Sequence, residues 1–514
     1  MKKGEIYEGV ITDFDFPNKG SLYIEDRKVI VKETLPGQKV RFSISKKKAG
    51  MAEGRLIEVI ERSKLEDCEP ACAYFGVCGG CAYQTLSYEN QLNFKEEMVK
   101  KLIDKALPDA DYIWEGILAS PKQNGYRNKM EFTFGDEYKD GPLALGLHKK
   151  GSFHDIVSVC GNEIKEGCEI INSDWRKIVN YTLKFFSERN VPFYHRMKHE
   201  GILRNLVVRQ SEATGEFLVN LVTSTQWSKY GYECDMVLAE YKDGLIALET
   251  SGSLAEGGRI AGILYTENDT LGDVVKSDRT IYLYGCNYIT EEVMGLKFKI
   301  SPFSFFQTNT KGCEVLYEKA REYIYESGSF DENELNGTSG KVVFDLYSGT
   351  GTIAQMMAKV SKKVIGIEIV EEAVEAAKEN AGENGLDNCK FIAGDVLKAI
   401  DLVPDKPDLI IVDPPRDGIN PKALDKILNF GVNQIVYISC KPTSLARDLK
   451  IMNERGYKLV KACCVDQFPC TRNVESCVLL ERVSNRKADS YVKLNVKMED
   501  YYRIKDAEGG EADG

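Results

Sequence analysis

The sequence predicts a multidomain α/β protein. A small N-terminal β-barrel and a central α+β domain precede a C-terminal domain of Rossmann-like type. Three observations predict this. The chain has 514 residues, and at roughly 150 residues per domain that length suggests about three domains. Short strands with turn signals between them fill residues 1–61. From 340 to 482, short continuous apolar runs alternate with amphipathic stretches, the mark of a parallel sheet buried on both faces.

The first segment reads EIYEGVITDFD, GSLYIEDRKVIVKE, GQKVRFSISKKK and EGRLIEVIER. Pro17-Asn18-Lys19-Gly20 and Pro36-Gly37 punctuate it, which suits a small barrel. Its densest basic spot is Lys46, Lys47 and Lys48, either a phosphate contact or a solvated hairpin tip. Residues 62–300 form the expected central domain. It opens with a cysteine-rich stretch and a helix over 94–107, which turns Phe94, Met98, Leu102 and Leu107 inward and can pack on either neighbouring domain. KMEFTFG, ILRNLVVRQ, GEFLVNLVTS and RTIYLYG then predict an antiparallel sheet, with helices between 170 and 190. In 301–484 the strands are VVFDLY, VIGIEI, CKFIAGD, DLIIVD and QIVYIS. The acidic, Gly-rich residues 485–514 are expected to be disordered.

Formal net charge is −11, which excludes a uniformly basic surface. It does not exclude local basic patches, because 1–61 and 121–210 are each locally positive and the tail is acidic. No apolar run approaches the ~18–20 residues of a membrane helix, and a cytoplasmic monomer is expected. All four histidines lie between His148 and His199, so a general base in the C-terminal domain must be another residue type.

Gly349-x-Gly351 follows the strand VVFDLY, where glycines allow close approach to a ligand and a tight turn into a helix. Glu368 ends the next strand and suits two ribose hydroxyls. Alone, this pattern also fits a dinucleotide site. Asp413-Pro414-Pro415-Arg416 and Cys440 end two later strands, at the sheet edge where open α/β folds bind ligands. Asp345, Glu368, Asp413 and Cys440 should converge there. A dehydrogenase needs no such thiol, whereas methylation of a poorly nucleophilic carbon does. Cys440 precedes a helix expected over Thr443–Met452, and a helix N-terminus lowers a thiol's pKa.

Cys72-x5-Cys78-x2-Cys81, with Gly79-Gly80 inside it, has ligand spacing. Cys68 is a further local thiol and Cys160 a distal one. Thiolate ligation suits zinc or iron–sulfur, and spacing does not choose. The other cysteines read as packing residues.

FDLYSGTGTI, DPPR, ISCKPTSLARDL and FPCTRNVE, with YRNKMEFTF, LRNLVVR and SPFSFFQTN upstream, together resemble the RNA uracil-C5 methyltransferases over roughly residues 1–482. The resemblance implies a class I methyltransferase fold that uses S-adenosyl-L-methionine. It implies that Cys440 adds to C6 of uracil and that Glu475 removes the C5 proton. Gln307, Tyr347, Gly349, Gly351, Glu368 and Asp413 would hold the cofactor, with Asp395 nearby. It implies a [4Fe–4S] cluster on Cys72, Cys78, Cys81 and Cys160. Residues 1–61 resemble a TRAM domain, an RNA-binding module, and Arg127 is a further candidate RNA contact. Phe303, Phe305 and Phe306 are candidates for lining the uracil pocket. Because the chain has both the TRAM-like segment and the cysteine cluster, 23S ribosomal RNA is the expected substrate, with transfer RNA as the alternative. Asn473 stands where the family usually has His.

Overall fold

The computed structural model describes residues 1–48, 50–152, 154–159, 167–254, 257–272, 277–326 and 340–483. Cys160 and the tail expected to be disordered lie outside the described residues.

Strands β1 (Ile6–Val10), β2 (Asp13–Asp15), β3 (Lys19–Ile24), β4 (Arg27–Lys32), β5 (Lys39–Lys48) and β6 (Met51–Glu61) form one six-stranded sheet, ordered β1-β5-β6-β4-β3-β2. Alternation along these strands turns Val29, Val31, Val40, Phe42 and Ala52 into a small core of their own. Lys46, Lys47 and Lys48 stand exposed at the end of the long β5–β6 hairpin, where Lys48 pairs with Glu53 at 2.9 Å.

Helix α1 (Tyr88–Ala106) starts six residues before the expected 94. The reason is a cap: Ser87 accepts from the Asn90 N–H at 3.4 Å. Its buried Phe94, Met98 and Val99 join the core that holds Leu445 and Leu449 of the C-terminal domain. Strand β7 (Ile113–Leu118) pairs in parallel with a C-terminal strand. Of the two neighbours that the sequence leaves open to this helix, it packs on the C-terminal domain. Residues 88–118 form a helix–strand unit that buries its apolar face against the last domain, although it lies far from it in sequence.

The central sheet contains β8 (Lys129–Asp136), β9 (Leu143–His148), β10 (Ile156–Ser158), then after α2 (Ser173–Glu188) β11 (Leu203–Gln210) and β12 (Glu216–Thr223), and after α3 (Cys234–Thr250) β13 (Arg259–Glu267) and β14 (Arg279–Gly285). Its order is β10-β9-β8-β11-β12-β13-β14. One pair departs from the expected antiparallel sheet: β12 and β13 run parallel. Such a pair needs a crossover, and α3, absent from the sequence reading, supplies it.

A hairpin of β15 (Ile289–Val293) and β16 (Leu296–Ile300) leads into α4 (Thr310–Glu326). The last domain then alternates β17 (Val342–Leu346), α5 (Thr352–Ala358), β18 (Lys363–Glu368), α6 (Glu371–Glu383), β19 (Cys389–Ala393), α7 (Val396–Ala399), β20 (Leu409–Val412), α8 (Pro421–Asn429), β21 (Gln434–Ser439), α9 (Pro442–Glu454), β22 (Tyr457–Val465) and β23 (Glu475–Arg482). The sheet order is β19-β18-β17-β20-β21-β23-β22-β7. Only β23 runs antiparallel to its neighbours. Chain order reverses between β17 and β20, and a crevice opens at the carboxyl ends of strands at such a point.

Candidate active site

A cavity of about 1430 Å³ opens at that switch point. Gln307, Tyr347, Gly349, Glu368, Asp395, Asp413, Cys440 and Glu475 all line it. Of the residues expected to converge here, Asp345 and Gly351 are not in the wall: Asp345 is buried behind it, where Oδ2 accepts from Ala354 N–H at 2.9 Å; Gly351 lies in the turn. It caps α5 at φ +75°, and a Cβ there would lie 2.6 Å from the Phe391 ring. Its requirement is packing and a left-handed backbone rather than contact with a ligand.

The glycine turn is held from below. Glu368 Oε2 accepts from Gly349 N–H at 3.0 Å and Oε1 from Val370 N–H at 3.0 Å. Tyr347, at φ +66°, turns the chain out of β17. Asp395 caps α7, accepting from Leu397 N–H at 2.9 Å. Gln307 Oε1 accepts from Gln467 Nε2 at 3.3 Å, and its carbonyl accepts from Asn128 Nδ2 at 2.9 Å. The loop carrying Phe303, Phe305 and Phe306, which all line the cavity, is gripped by Arg209. That buried guanidinium donates to Pro302 O at 3.1 Å and also to Ser304 O. The sequence assigns Arg209 no role, and the available signal was an arginine directly after the apolar run Leu206-Val207-Val208. Phe306 is 4% exposed and Phe305 66%, so only the former is a core side chain.

Cys440 and Glu475 meet through strand pairing. In the antiparallel β21–β23 pair, Ser439 stands opposite Ser476 as the last step of the ladder, Cys440 follows the one and Glu475 precedes the other, and both line the cavity. Burial pushes the Glu475 carboxyl up to about 8, with Asp413 adding to the shift and Arg416 opposing it. Burial raises Asp413 to about 7. Burial and then Asp413 raise Asp345 to about 8, and Asp345 Oδ1 has no hydrogen-bond partner. The expected lowering at Cys440 is overturned. Burial first, then Glu475 and Asp413, push its thiol up to about 11, against Arg416. Burial of the thiol, with the two carboxyls adding to it, outweighs the nearby start of α9. Two carboxyls of the wall, Asp413 and Glu475, are thus raised by burial, and with Glu368 and Asp395 the wall offers four carboxyls that a cationic ligand carrying hydroxyls fits.

Other expectations fall elsewhere. Arg127 is not in the cavity wall, and its Nε donates to Lys129 O at 2.8 Å. Cys72, Cys78 and Cys81 sit in one loop, with Gly80 N–H donating to Cys78 Sγ at 3.4 Å. Among the described residues, no three His, Cys, Asp or Glu side chains are arranged to hold a metal. Cys160, the fourth ligand that the resemblance implies, lies outside the described residues. Of the cysteines read as packing residues, Cys286 is exposed. Among the described residues no helix is long and apolar enough to cross a membrane.

Residues 296–483 match the family model for tRNA (Uracil-5-)-methyltransferase. An uncharacterized RNA methyltransferase of Clostridium tetani is 48% identical, with 94% of this chain and 99% of that protein covered. One from Caldanaerobacter subterraneus is 46% identical, with 94% and 100% covered. Among solved structures, the Pyrococcus abyssi tRNA (uracil-54, C5)-methyltransferase, in complex with S-adenosyl-L-homocysteine, superposes with a TM-score of 0.65 at 24% identity. That match covers 92% of this chain and 100% of the other, and is a likeness of fold.

Proposed function

The chain belongs to the RNA uracil-C5 methyltransferase family, and from that premise we propose that it methylates C5 of a uridine in 23S ribosomal RNA through a covalent adduct with Cys440. The observation that carries this reading is the β21–β23 register, which sets a thiol beside a carboxyl in the cavity wall.

The chemistry follows from those two groups. The Cys440 thiolate adds to C6 of the flipped uracil, and the electrons of the C5–C6 double bond make C5 nucleophilic. Gln307, Tyr347, Gly349, Glu368, Asp395 and Asp413 would hold S-adenosyl-L-methionine, which would supply an electrophilic methyl: C5 takes the methyl as the S–CH3 bond breaks, and neutral S-adenosyl-L-homocysteine leaves. C5 now bears both the methyl and its original proton. Ionised Glu475 takes that proton, the C5–C6 double bond re-forms, and the Cys440–C6 bond breaks. Burial primes Glu475 for this step, since a carboxyl raised to about 8 holds a proton more tightly than an exposed one. Lys46 and Lys47 extend from the first sheet as phosphate contacts that position RNA without reading sequence. Arg127 is kept as a candidate contact on the central domain.

Incubation with radiolabelled S-adenosyl-L-methionine and either ribosomal or transfer RNA, followed by mapping of the methyl group, tests the reading. Label at uridine C5 of 23S RNA is expected. Label confined to transfer RNA replaces the substrate, and no label at any uracil removes the function. Iron and sulfide assay of anaerobically purified protein separately tests a [4Fe–4S] cluster on Cys72, Cys78, Cys81 and Cys160, which rests on spacing and resemblance.

A further inference from the structure

Helix α1 precedes the C-terminal domain by more than two hundred residues, yet it reaches the turn that leads to Glu475. Lys95 on α1 and Asp466, just after β22, both have fully buried side chains, and Lys95 Nζ lies 2.6 Å from Asp466 Oδ1. The same Nζ donates to Phe468 O at 3.1 Å. Desolvating two charges costs several kcal/mol per ion, so a buried pair is poor evidence of net stabilisation. What the pair does provide is a fixed geometry.

The hydrogen bonds continue from there toward the site. Phe468 O also accepts from Thr471 N–H at 3.1 Å and from Thr471 Oγ1 at 2.9 Å. Thr471 Oγ1 accepts from Asn473 N–H at 3.2 Å. Phe468, Asn473 and Glu475 all line the reaction cavity. The other side of the turn is fastened too: Asp466 N–H donates to Leu118 O at 2.9 Å, and Gln467 O accepts from Asn309 Nδ2 at 2.9 Å. Lys95 stands at the root of this chain of bonds.

We infer that Lys95 is a positioning residue for methyl transfer: its buried ammonium, bound at once to Asp466 and to Phe468 O, fixes the 466–473 turn and so sets the Glu475 carboxyl beside Cys440. The inference rests on the methyl-transfer reading of the cavity. A base displaced by about 1 Å loses up to two orders of magnitude in rate, whereas Glu368 on β18 fastens the glycine turn from outside 466–473, and Gln307 meets that turn through a long bond from Gln467 Nε2 at 3.3 Å.

Lys95→Met alone leaves Asp466 buried and unpaired and threatens folding. The decisive protein is the full chain carrying Lys95→Met with Asp466→Asn, which removes both charges at near-constant volume. Thermal melting is expected within a few degrees of the native protein. Amide exchange across 466–475 is expected to be about tenfold faster while β17 and β18 are unchanged. The kcat for RNA methylation is expected to fall about tenfold or more, with KM for RNA within about twofold and Kd for S-adenosyl-L-methionine changed by clearly less than kcat, because Gln307 alone of the named cofactor residues is bonded to the turn. Unchanged exchange in the turn, or native kcat despite faster exchange, overturns the inference. If the native protein methylates no uridine, the proposed function fails instead, and the exchange measurement still decides whether Lys95 orders the turn.

Discussion

Cys440 directly follows Ser439 of β21 and Glu475 directly precedes Ser476 of β23, so the last pair of that ladder brings both to the wall of one cavity. The two are 35 residues apart in sequence, yet Glu475 acts electrostatically on the Cys440 thiol. The only antiparallel strand among the C-terminal domain's own pairings therefore does a specific job. By reversing direction, β23 begins where β21 ends, and its first residue enters the cavity.

Cys440→Ala is expected to abolish methylation, since no other wall residue offers a soft nucleophile to C6. Glu475→Gln should still form the adduct and transfer methyl but fail to release RNA. A covalent protein–RNA band on denaturing gels, present in Glu475→Gln and absent in Cys440→Ala, is the expected pattern. Free turnover by Glu475→Gln would take the base role away from this residue.

Glu475 and Asp413 are raised to about 8 and about 7 by burial. A folded-state pKa above the unfolded one favours the folded protein while the group is protonated. That contribution is complete below the ordinary carboxylate range and is lost as pH rises through about 7 to 8. Ligand-free protein should therefore melt at progressively lower temperature between pH 5 and 9. Glu475→Gln should show a shallower decline, the two differing by roughly 1–3 kcal/mol across the window. Parallel declines would contradict the buried carboxyl. Turnover should run the opposite way, rising with pH toward about 8 as the base ionises.

The sequence made the edge of the parallel sheet legible because each site residue there follows a short apolar run: Asp413 after DLIIV and Cys440 after QIVYIS. Glu368 was legible for the same reason. The thiol's acidity was misjudged because the helix N-terminus is local, while Glu475 and Asp413 arrive through tertiary pairing. Strand β7 and the Lys95–Asp466 pair were illegible for a related reason. A lysine on an amphipathic helix reads as solvent-facing, and nothing local says that residue 466 will bury it. The parallel β12–β13 pair was missed because α3 was not seen, and without a crossover helix successive strands default to antiparallel.

Both oxygens of Glu368 are already committed to backbone N–H groups, of Gly349 and Val370. Glu368→Gln turns one acceptor into a donor facing an N–H. It should weaken S-adenosyl-L-methionine binding about tenfold, or about 1.4 kcal/mol, by loosening the glycine turn and losing the charge. Isothermal titration without RNA measures this directly. An unchanged Kd would mean that the carboxylate serves the fold alone.

Gly349 and Gly351 provide the sharpest separation of folding from binding, because they share a left-handed backbone but not a neighbourhood. At Gly351 an added Cβ would meet Phe391 ring atoms at 2.6 and 2.7 Å and Ala377 Cβ at 3.0 Å, all inside the α5–α6–β19 packing. At Gly349 the nearest atom is Phe305 Cδ1 at 3.7 Å, on the cavity side. Both variants to Ala bear the left-handed penalty of about 1 kcal/mol. Only Gly351→Ala adds overpacking of about 1–3 kcal/mol. Gly351→Ala should therefore lower the melting temperature by several degrees more than Gly349→Ala. Gly349→Ala should in turn lose more cofactor affinity than Gly351→Ala, because its methyl would stand in the space the ligand must enter. Melting curves and cofactor titrations on the two proteins give four numbers. The crossed pattern is expected, and equal losses in both assays would show that the two glycines serve a single role.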